Sequence, residues 1–176
     1  MKYELVGASQ ILRHQLLSPH FLKNDPVRVF AIACRYDFDE EARTASQHCL
    51  RVNLLDCPLT TDFKHVTAYS YHRLLDLHRR RSIAAQQLLK LEENVKCVQC
   101  SSSHYGHLFP PRWWVDFEQR AKEELAVRPT SDVVFTLGFM LPSAHSGCQR
   151  CPESILESHE FLDRLKKRID DLPSTI

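Results

Sequence analysis

Glycine is scarce in this chain: four glycines occur among 176 residues. Turn-rich β architectures generally use more, because tight turns need backbone conformations that other residues avoid. Long hydrophobic runs are missing too, both after Met1, where a secretory signal would lie, and at the roughly 20 residues that a membrane helix requires. These absences favour a helical protein of the cytoplasm or nucleus, with no membrane partner.

Neither sign of charge dominates the chain, which has 23 basic and 22 acidic residues and a net charge of +1. Binding to nucleic acid or to an anionic membrane usually relies on a strongly basic surface, so the overall charge argues against both. Hydrophobic residues make up 43% and charged residues 26%, which is typical of folded domains. We expect residues 1–60 and 61–176 to pack as one compact unit.

Recognisable catalytic motifs are also missing. The sequence has no glycine-rich phosphate loop, no serine nucleophile elbow and no His-x-Glu of the zinc deaminases. Histidines such as His72 lie near acids such as Asp76, but pairs of this kind arise often on helix surfaces. The sequence therefore predicts a protein that is not an enzyme.

Apolar residues recur at three- and four-residue steps along most of the chain, which is the period of an amphipathic helix. This period predicts helices over residues 3–17, 27–36, 37–50, 67–95, 110–128, 132–139 and 152–172. Residues 96–112 and 141–147 lack it and are expected to be loops. The predicted fold is all-α, an irregular multi-helix bundle.

The seven cysteines are unevenly spaced. Cys34 and Cys49 lie within the apolar stripes of predicted helices, where a thiol usually behaves as a small hydrophobic side chain. The remaining pattern consists of two CxxC units, formed by Cys97 with Cys100 and by Cys148 with Cys151. Without a secretion signal, paired cysteines are more typical of metal sites than of a disulfide framework.

Two CxxC units can surround one zinc ion, because each pair supplies two thiolates at about 2.3 Å from the metal. The intervening residues 101–147 exceed the roughly 15–20 residues of compact zinc modules, so the ion would join two distant loops. The prediction is one structural Zn²⁺ that closes the two CxxC loops. His104 and His107 are alternative ligands for the second pair, and metal-free thiols or a disulfide within one CxxC are further alternatives.

Two other features allow different functions. The basic run of residues 78–81 is interpreted as a solvated helix face, and the two adjacent tryptophans as core anchors. A second hypothesis is a zinc-dependent nucleic-acid-binding protein that uses Arg79, Arg80, Arg81, Trp113 and Trp114. A third is a thiol redox sensor that uses one CxxC pair.

Most of the chain also carries segments that resemble one protein family. Residues 2–16 look like the last helix of a BTB/POZ domain, and residues 30–36 with 42–50 look like the BACK-like helical extension that follows it. Residues 68–75, 112–114 and 148–151 resemble the C-terminal region of a large group of fungal BTB-domain proteins. The resemblance implies a non-enzymatic adaptor or protein–protein interaction module.

The same resemblance bears on possible partners. Members of the wider BTB class often dimerise, and some link substrates to cullin-type ubiquitin ligases. The given sequence lacks the BTB core that carries those surfaces, so a link to a cullin-type ubiquitin ligase is expected only if a BTB core is supplied. The sequence thus predicts an unidentified protein partner.

Overall fold

The computed structural model describes the backbone of residues 2–58, 60–92, 94–101, 103–104 and 107–176, and the side chains of residues 7–58, 60–92, 94–101 and 109–176. The chain divides into two compact units. Unit 1 comprises Met1–Arg80 with Pro173–Ile176, and unit 2 comprises Arg81–Leu172. The sequence analysis placed a boundary near residue 60, whereas this division falls inside a helix.

Unit 1 is built from short helices joined by tight connections. They are α1 (Lys2–Leu16), α2 (Pro19–Asn24), α3 (Pro26–Arg35), α4 (Asp39–Cys49), a 3₁₀ helix (Thr61–His65) and the first part of α5 (Ala68–Leu88). Helix α2 was not predicted. Its first residue is Pro19 and its N-cap is Ser18, because proline suits the first turn of a helix as well as the position after one.

The core of unit 1 lies between α3 and α4. Phe30 and Ala33 of α3 are fully buried, as are Ala45 and Cys49 of α4. The small side chains of α4 let the two helices approach closely. At the α5 side, Leu74 is also fully buried, so the predicted stripe of α5 contributes to the same core.

Unit 2 contains the rest of α5, the two-residue antiparallel strands β1 (Ser103–His104) and β2 (His107–Leu108), and the helices α6 (Arg112–Val127), α7 (Ser131–Val134), α8 (Leu137–Ser146), α9 (Cys151–Glu157) and α10 (His159–Asp170). The all-α expectation is confirmed. Among the described residues, no helix has the length and apolar character needed to cross a membrane.

Three predicted segment boundaries in unit 2 are wrong. Helix α5 ends at Leu88 rather than near Val95, because Leu89 and Val95 both enter the core from a non-helical segment. The expected loop 141–147 is helical up to Ser146, with Pro142 inside α8. The expected last helix is two helices, which meet at Ser158.

The core of unit 2 is rich in aromatic rings. Trp113 and Trp114 are 0% and 1% exposed, which confirms their interpretation as core anchors. The Trp114 ring centroid lies 5.5 Å from that of Phe117 and 5.3 Å from that of Phe161, within the range of favourable aromatic pairs. Aliphatic residues of α6 and α10, including Leu125 and Ile169, complete the core.

Arg81 departs from the predicted solvated face. Its side chain is 6% exposed, and its guanidinium donates to the backbone carbonyls of Pro129 and Ile169, each at 2.8 Å, and of Leu172. The carbonyls near the end of a helix lack partners within that helix. Arg81 therefore satisfies the end of α10 from inside unit 2, and the prediction that it is solvated is wrong.

Candidate metal centre

Four cysteine sulfurs converge in unit 2. Within 4.8 Å of one another lie the Sγ atoms of Cys97, Cys100, Cys148 and Cys151. The Cys97 and Cys148 sulfurs are 3.4 Å apart, and the Cys151 sulfur lies 3.6 Å from both Cys100 Sγ and Cys148 Sγ. A disulfide bond would measure about 2.05 Å, and all four are free thiols. The two CxxC units of the sequence thus meet in one cluster.

The size of this cluster fits one metal ion. In a tetrahedral site with metal–sulfur bonds of about 2.3 Å, neighbouring sulfurs lie about 3.8 Å apart. The shorter separations of 3.4 and 3.6 Å fall just below that value, and the upper limit of 4.8 Å lies above it. Four thiolates suit soft ions such as zinc or iron, so the residues present can hold one such ion.

Local hydrogen bonds shape both cysteine pairs. In the first pair, the Cys97 N–H donates to Ser101 Oγ and the Ser101 N–H donates to the Cys97 carbonyl, both at 2.9 Å. In the second pair, the Cys151 N–H donates to the Cys148 carbonyl at 2.9 Å. The first pair lies in a turn, whereas Cys151 is the first residue of α9, so the second pair is a turn that leads into a helix.

Backbone N–H groups point at the sulfurs. Arg112, the first residue of α6, donates to Cys100 Sγ at 3.4 Å, and the next residue, Trp113, donates to Cys151 Sγ. The Cys148 N–H donates to Cys151 Sγ at 3.3 Å. Free N–H groups and the helix dipole make the start of a helix favourable for negative charge. The start of α6 therefore stabilises the thiolate form of the cluster.

Three thiols of the cluster have pKa values that depart from that of an ordinary cysteine, in different directions. Burial, assisted by the neighbouring thiols, raises the pKa of Cys100 to about 12, although the Arg112 N–H acts in the opposite direction. Burial likewise raises the pKa of Cys151. For Cys148 burial acts in the same direction, but hydrogen bonds from the Arg150 backbone and the other thiols outweigh it and bring the pKa to about 7. A bound cation would favour ionisation of all four thiols.

Gly147 is part of the site, and the sequence analysis did not identify it as such. A Cβ atom at this position would lie 2.7 Å from Cys151 Cβ and would also collide with Cys151 Sγ. Only glycine allows the backbone to pass this close to the sulfur cluster. A glycine directly before a CxxC unit was the signal available in the sequence, because isolated glycines often mark a close approach of the backbone.

Ser154 connects the surroundings of both cysteine pairs. Its hydroxyl accepts a hydrogen bond from Trp113 Nε1 and donates one to the Lys96 carbonyl, both at 3.0 Å. Lys96 precedes the first pair, Ser154 follows the second, and Trp113 belongs to α6. Because Ser154 is only 3% exposed, these bonds form without competition from water. The network holds the three segments that carry the sulfurs and their donors.

His104 and His107 are the alternative ligands that the sequence suggests. The backbones of His104 and His107 are register partners in the β1–β2 pair. Their side chains lie outside the described residues. The cluster of four cysteines contains a full tetrahedral set without them.

The side chains suggested for nucleic-acid binding differ in their exposure to solvent. Arg79 and Arg80 are exposed, and Arg80 is paired with Asp76. Arg81 is buried, and Trp113 and Trp114 have no exposed ring face on which a base could stack. Stacking platforms for nucleic acid need exposed aromatic rings, so these tryptophans do not provide one.

Comparisons with known proteins did not assign the chain to a family. No protein-family model, curated protein or solved structure matches the chain. The functional argument therefore depends on the cluster and its surroundings.

Proposed function

We propose that the chain is a non-enzymatic protein-interaction module in which one structural zinc ion, bound by Cys97, Cys100, Cys148 and Cys151, holds unit 2 together. The convergence of the four Sγ atoms within 4.8 Å carries the proposal. Four thiolate ligands close the coordination shell of zinc, whereas a catalytic site keeps one position open for water or substrate. A closed shell is the arrangement expected of a structural ion.

The position of the cluster supports a structural role. The first pair lies in the non-helical segment between α5 and α6, and the second pair consists of Cys148, after α8, and Cys151, the first residue of α9. Of the four residues, Cys97 and Cys151 are buried in the core of unit 2. An ion bound there would fix the core-facing ends of two segments that are far apart in the sequence, and its binding free energy would add to the stability of the folded unit.

The interaction role is proposed from exposed apolar side chains and from the resemblance to regions that follow BTB domains. On α1, Ile11 and Leu12 are 65% and 69% exposed, and at the first CxxC turn Val98 is 94% exposed. Neighbouring exposed apolar side chains mark contact surfaces more often than isolated ones do. A partner that covers α1 would remove the two adjacent side chains from water.

Elemental analysis of the purified chain tests the metal. We expect one zinc ion per chain in the wild type, and loss of that zinc in Cys148→Ser. The matched control is Cys57→Ser, a half-buried thiol of unit 1, which should keep its zinc. Iron in place of zinc, or equal metal content in both variants, would contradict the proposed centre.

Capture experiments with the full chain test the interaction role. We expect the zinc-loaded protein to retain a specific protein partner, and Ile11→Ser with Leu12→Ser to weaken retention at unchanged zinc content. Turnover of a small molecule by the purified chain, lost in Cys148→Ser, would instead identify an enzyme.

A further inference from the structure

We propose that the metal centre is also a redox-controlled clamp, in which a hydroperoxide oxidises Cys148, Cys148 then forms a disulfide with Cys97, and the zinc is released. This inference rests on the proposed zinc centre, whose sulfurs it uses. It adds a regulating chemistry to a site otherwise described as structural.

Exposure determines which sulfurs an oxidant reaches. Cys97 is 1% exposed and Cys151 is 0% exposed, whereas Cys100 and Cys148 are half-buried. Oxidation of cysteine requires access to the sulfur as well as thiolate character. A small hydroperoxide therefore meets Cys100 and Cys148 first.

Neighbouring thiols distinguish these two accessible cysteines. Cys148 Sγ lies 3.4 Å from Cys97 Sγ and 3.6 Å from Cys151 Sγ. A sulfenic acid at Cys148 would thus have two thiols in van der Waals contact, ready to form a disulfide. Cys100 Sγ lies 3.6 Å from Cys151 Sγ, which backbone N–H groups already contact, and Cys100 Sγ itself accepts a hydrogen bond from the Arg112 N–H.

Hydrogen bonding then favours Cys97 as the resolving thiol. Cys151 Sγ accepts backbone N–H groups from Trp113 and Cys148, and hydrogen bonds that stabilise a thiolate also lower its nucleophilicity. Among the described residues, these donors contact Cys151 and not Cys97. Cys97 also makes the shortest sulfur–sulfur contact of the cluster, so the disulfide is assigned to Cys97 and Cys148.

The reaction balances with a hydroperoxide as the oxidant. The Cys148 thiolate attacks the terminal oxygen of the peroxide, the O–O bond breaks, and after protonation water or an alcohol leaves with a sulfenic acid on Cys148. The Cys97 thiolate attacks that sulfur and displaces hydroxide, which takes up a proton to give water. Two thiolates lose two electrons to the peroxide. The zinc loses two ligands and dissociates.

The oxidised product keeps the two segments joined. A Cys97–Cys148 disulfide links the same turn regions that the zinc links, but leaves Cys100 and Cys151 as free thiols. The contact of Cys100 Sγ with the Arg112 N–H at the start of α6 would no longer be held by a metal. Oxidation would therefore loosen the start of α6 without opening unit 2 completely.

The experiment treats the zinc-loaded full chain with increments of hydrogen peroxide. Zinc release is followed with a chromogenic chelator, free thiols are alkylated, and disulfides are located by peptide mass spectrometry. We expect one peroxide consumed per zinc released, with Cys97 and Cys148 joined. A thiol reductant with added zinc should restore the original protein, and Cys57→Ser should release zinc at the wild-type rate.

The possible negative results distinguish between the zinc centre and the redox clamp. A reduced protein without metal would overturn the zinc centre and this inference together. Bound zinc that resists peroxide, or that leaves with a Cys148–Cys151 disulfide or with sulfinic acid at Cys148, would overturn only the redox clamp.

Discussion

Units 1 and 2 reach a closed core in different ways. In unit 1 the helices α1 to α4 follow one another with connections at residues 17–18, 25 and 36–38, so local chain connectivity brings them together. In unit 2 the segment from residue 89 to residue 111 contains no described helix and only the two short strands. Two of the four clustered cysteines, Cys97 and Cys100, lie within this segment. A long non-helical stretch forms few backbone hydrogen bonds of its own, and a metal ion bound to the cluster would compensate for that.

The cysteines show the same contrast. In unit 1, Cys49 is fully buried, and burial raises the pKa of Cys34, Cys49 and Cys57, as expected of thiols that act as small hydrophobic side chains. In unit 2, four thiols share one site with helix N–H donors. The same residue type is thus a packing element in one unit and a proposed ligand in the other.

Removal of the metal should produce the largest difference between the units. Structural zinc contributes about 10–16 kcal/mol to small zinc-finger peptides, and because unit 2 has its own aromatic core we expect a loss of more than about 5 kcal/mol there. Cys151→Ser should have the same effect as a chelator. Hydrogen exchange measured by mass spectrometry should show lost protection in residues 109–172 and retained protection in residues 26–50.

The matched control is Cys49→Ser. Both sulfurs are fully buried, but Cys49 belongs to unit 1, so the variant should keep its zinc and lose only about 1–3 kcal/mol from burying a hydroxyl. Equal effects of the two substitutions on metal content and on unit 2 would refute the distinction between ligand and packing cysteines.

Large aromatic side chains provide the next comparison. Phe117→Ala in unit 2 and Phe30→Ala in unit 1 each remove a fully buried ring and should destabilise their own unit by about 3–5 kcal/mol. We expect Phe117→Ala to weaken zinc retention as well, because Phe117 packs beside Trp113, which carries a donor to the cluster. Chelator competition should detect this. Phe30→Ala should leave the rate of zinc transfer unchanged.

Acid should act on the two units through different groups. Burial lowers the pKa of His78 in unit 1 to about 4, compared with about 6.5 in an unfolded chain. The unfolded state takes up the proton first, so unit 1 loses stability as the pH falls from about 6.5 towards 4, by roughly 3 kcal/mol at most. Burial also lowers the pKa of His48, which adds to the effect.

Hydrogen exchange of unit 1 peptides across this pH range measures the effect separately from zinc loss. His78→Gln should flatten the pH dependence, whereas the exposed His72, replaced by Gln, should leave it as in the wild type. Zinc release from unit 2 should also increase in acid, because protons compete with the metal for the thiolates. A pH dependence unaffected by His78→Gln would show that another group controls unit 1.

The smallest predicted effect concerns two glycines of unit 2. Gly147→Ala should displace Cys151 and weaken zinc binding about tenfold or more, comparable to the loss of a residue that orients a ligand. Gly138 lies in α8, and a Cβ there meets nothing within 4 Å, so Gly138→Ala should leave zinc binding unchanged and stabilise α8 by up to about 1 kcal/mol. Zinc affinity measured by competition with a chelator distinguishes the two glycine variants.

Helical period was sufficient to predict most of the fold. The helices α3, α4 and α6 begin and end within two residues of their predicted bounds, because each has an apolar stripe and a proline or acidic residue at its start. The helical period predicted the wrong helix boundary where tertiary packing determined the local structure. Residues 89–95 are good helix formers, but two of them, Leu89 and Val95, enter the core outside any helix.

The candidate site was predicted in part. Two CxxC units identified all four sulfurs, because metal-ligand spacing is a local property of the chain. The backbone donors at Arg112 and Trp113, the tight passage at Gly147 and the Ser154 network depend on how distant segments meet, which no local pattern specifies. The burial of Arg81 was missed for the same reason, since its carbonyl partners come from the region of Pro129 and from the end of α10.

The donors at the start of α6 have a consequence for sequence variation. They are main-chain groups, so a change of side chain at position 112 leaves the N–H that contacts Cys100 Sγ in place. Proline is the exception, because it has no N–H. Homologous chains with the same centre can therefore differ freely at the exposed position 112, as long as proline is excluded. An alignment of such chains would show the cysteines and Gly147, but it would not reveal the contribution of the backbone N–H at position 112.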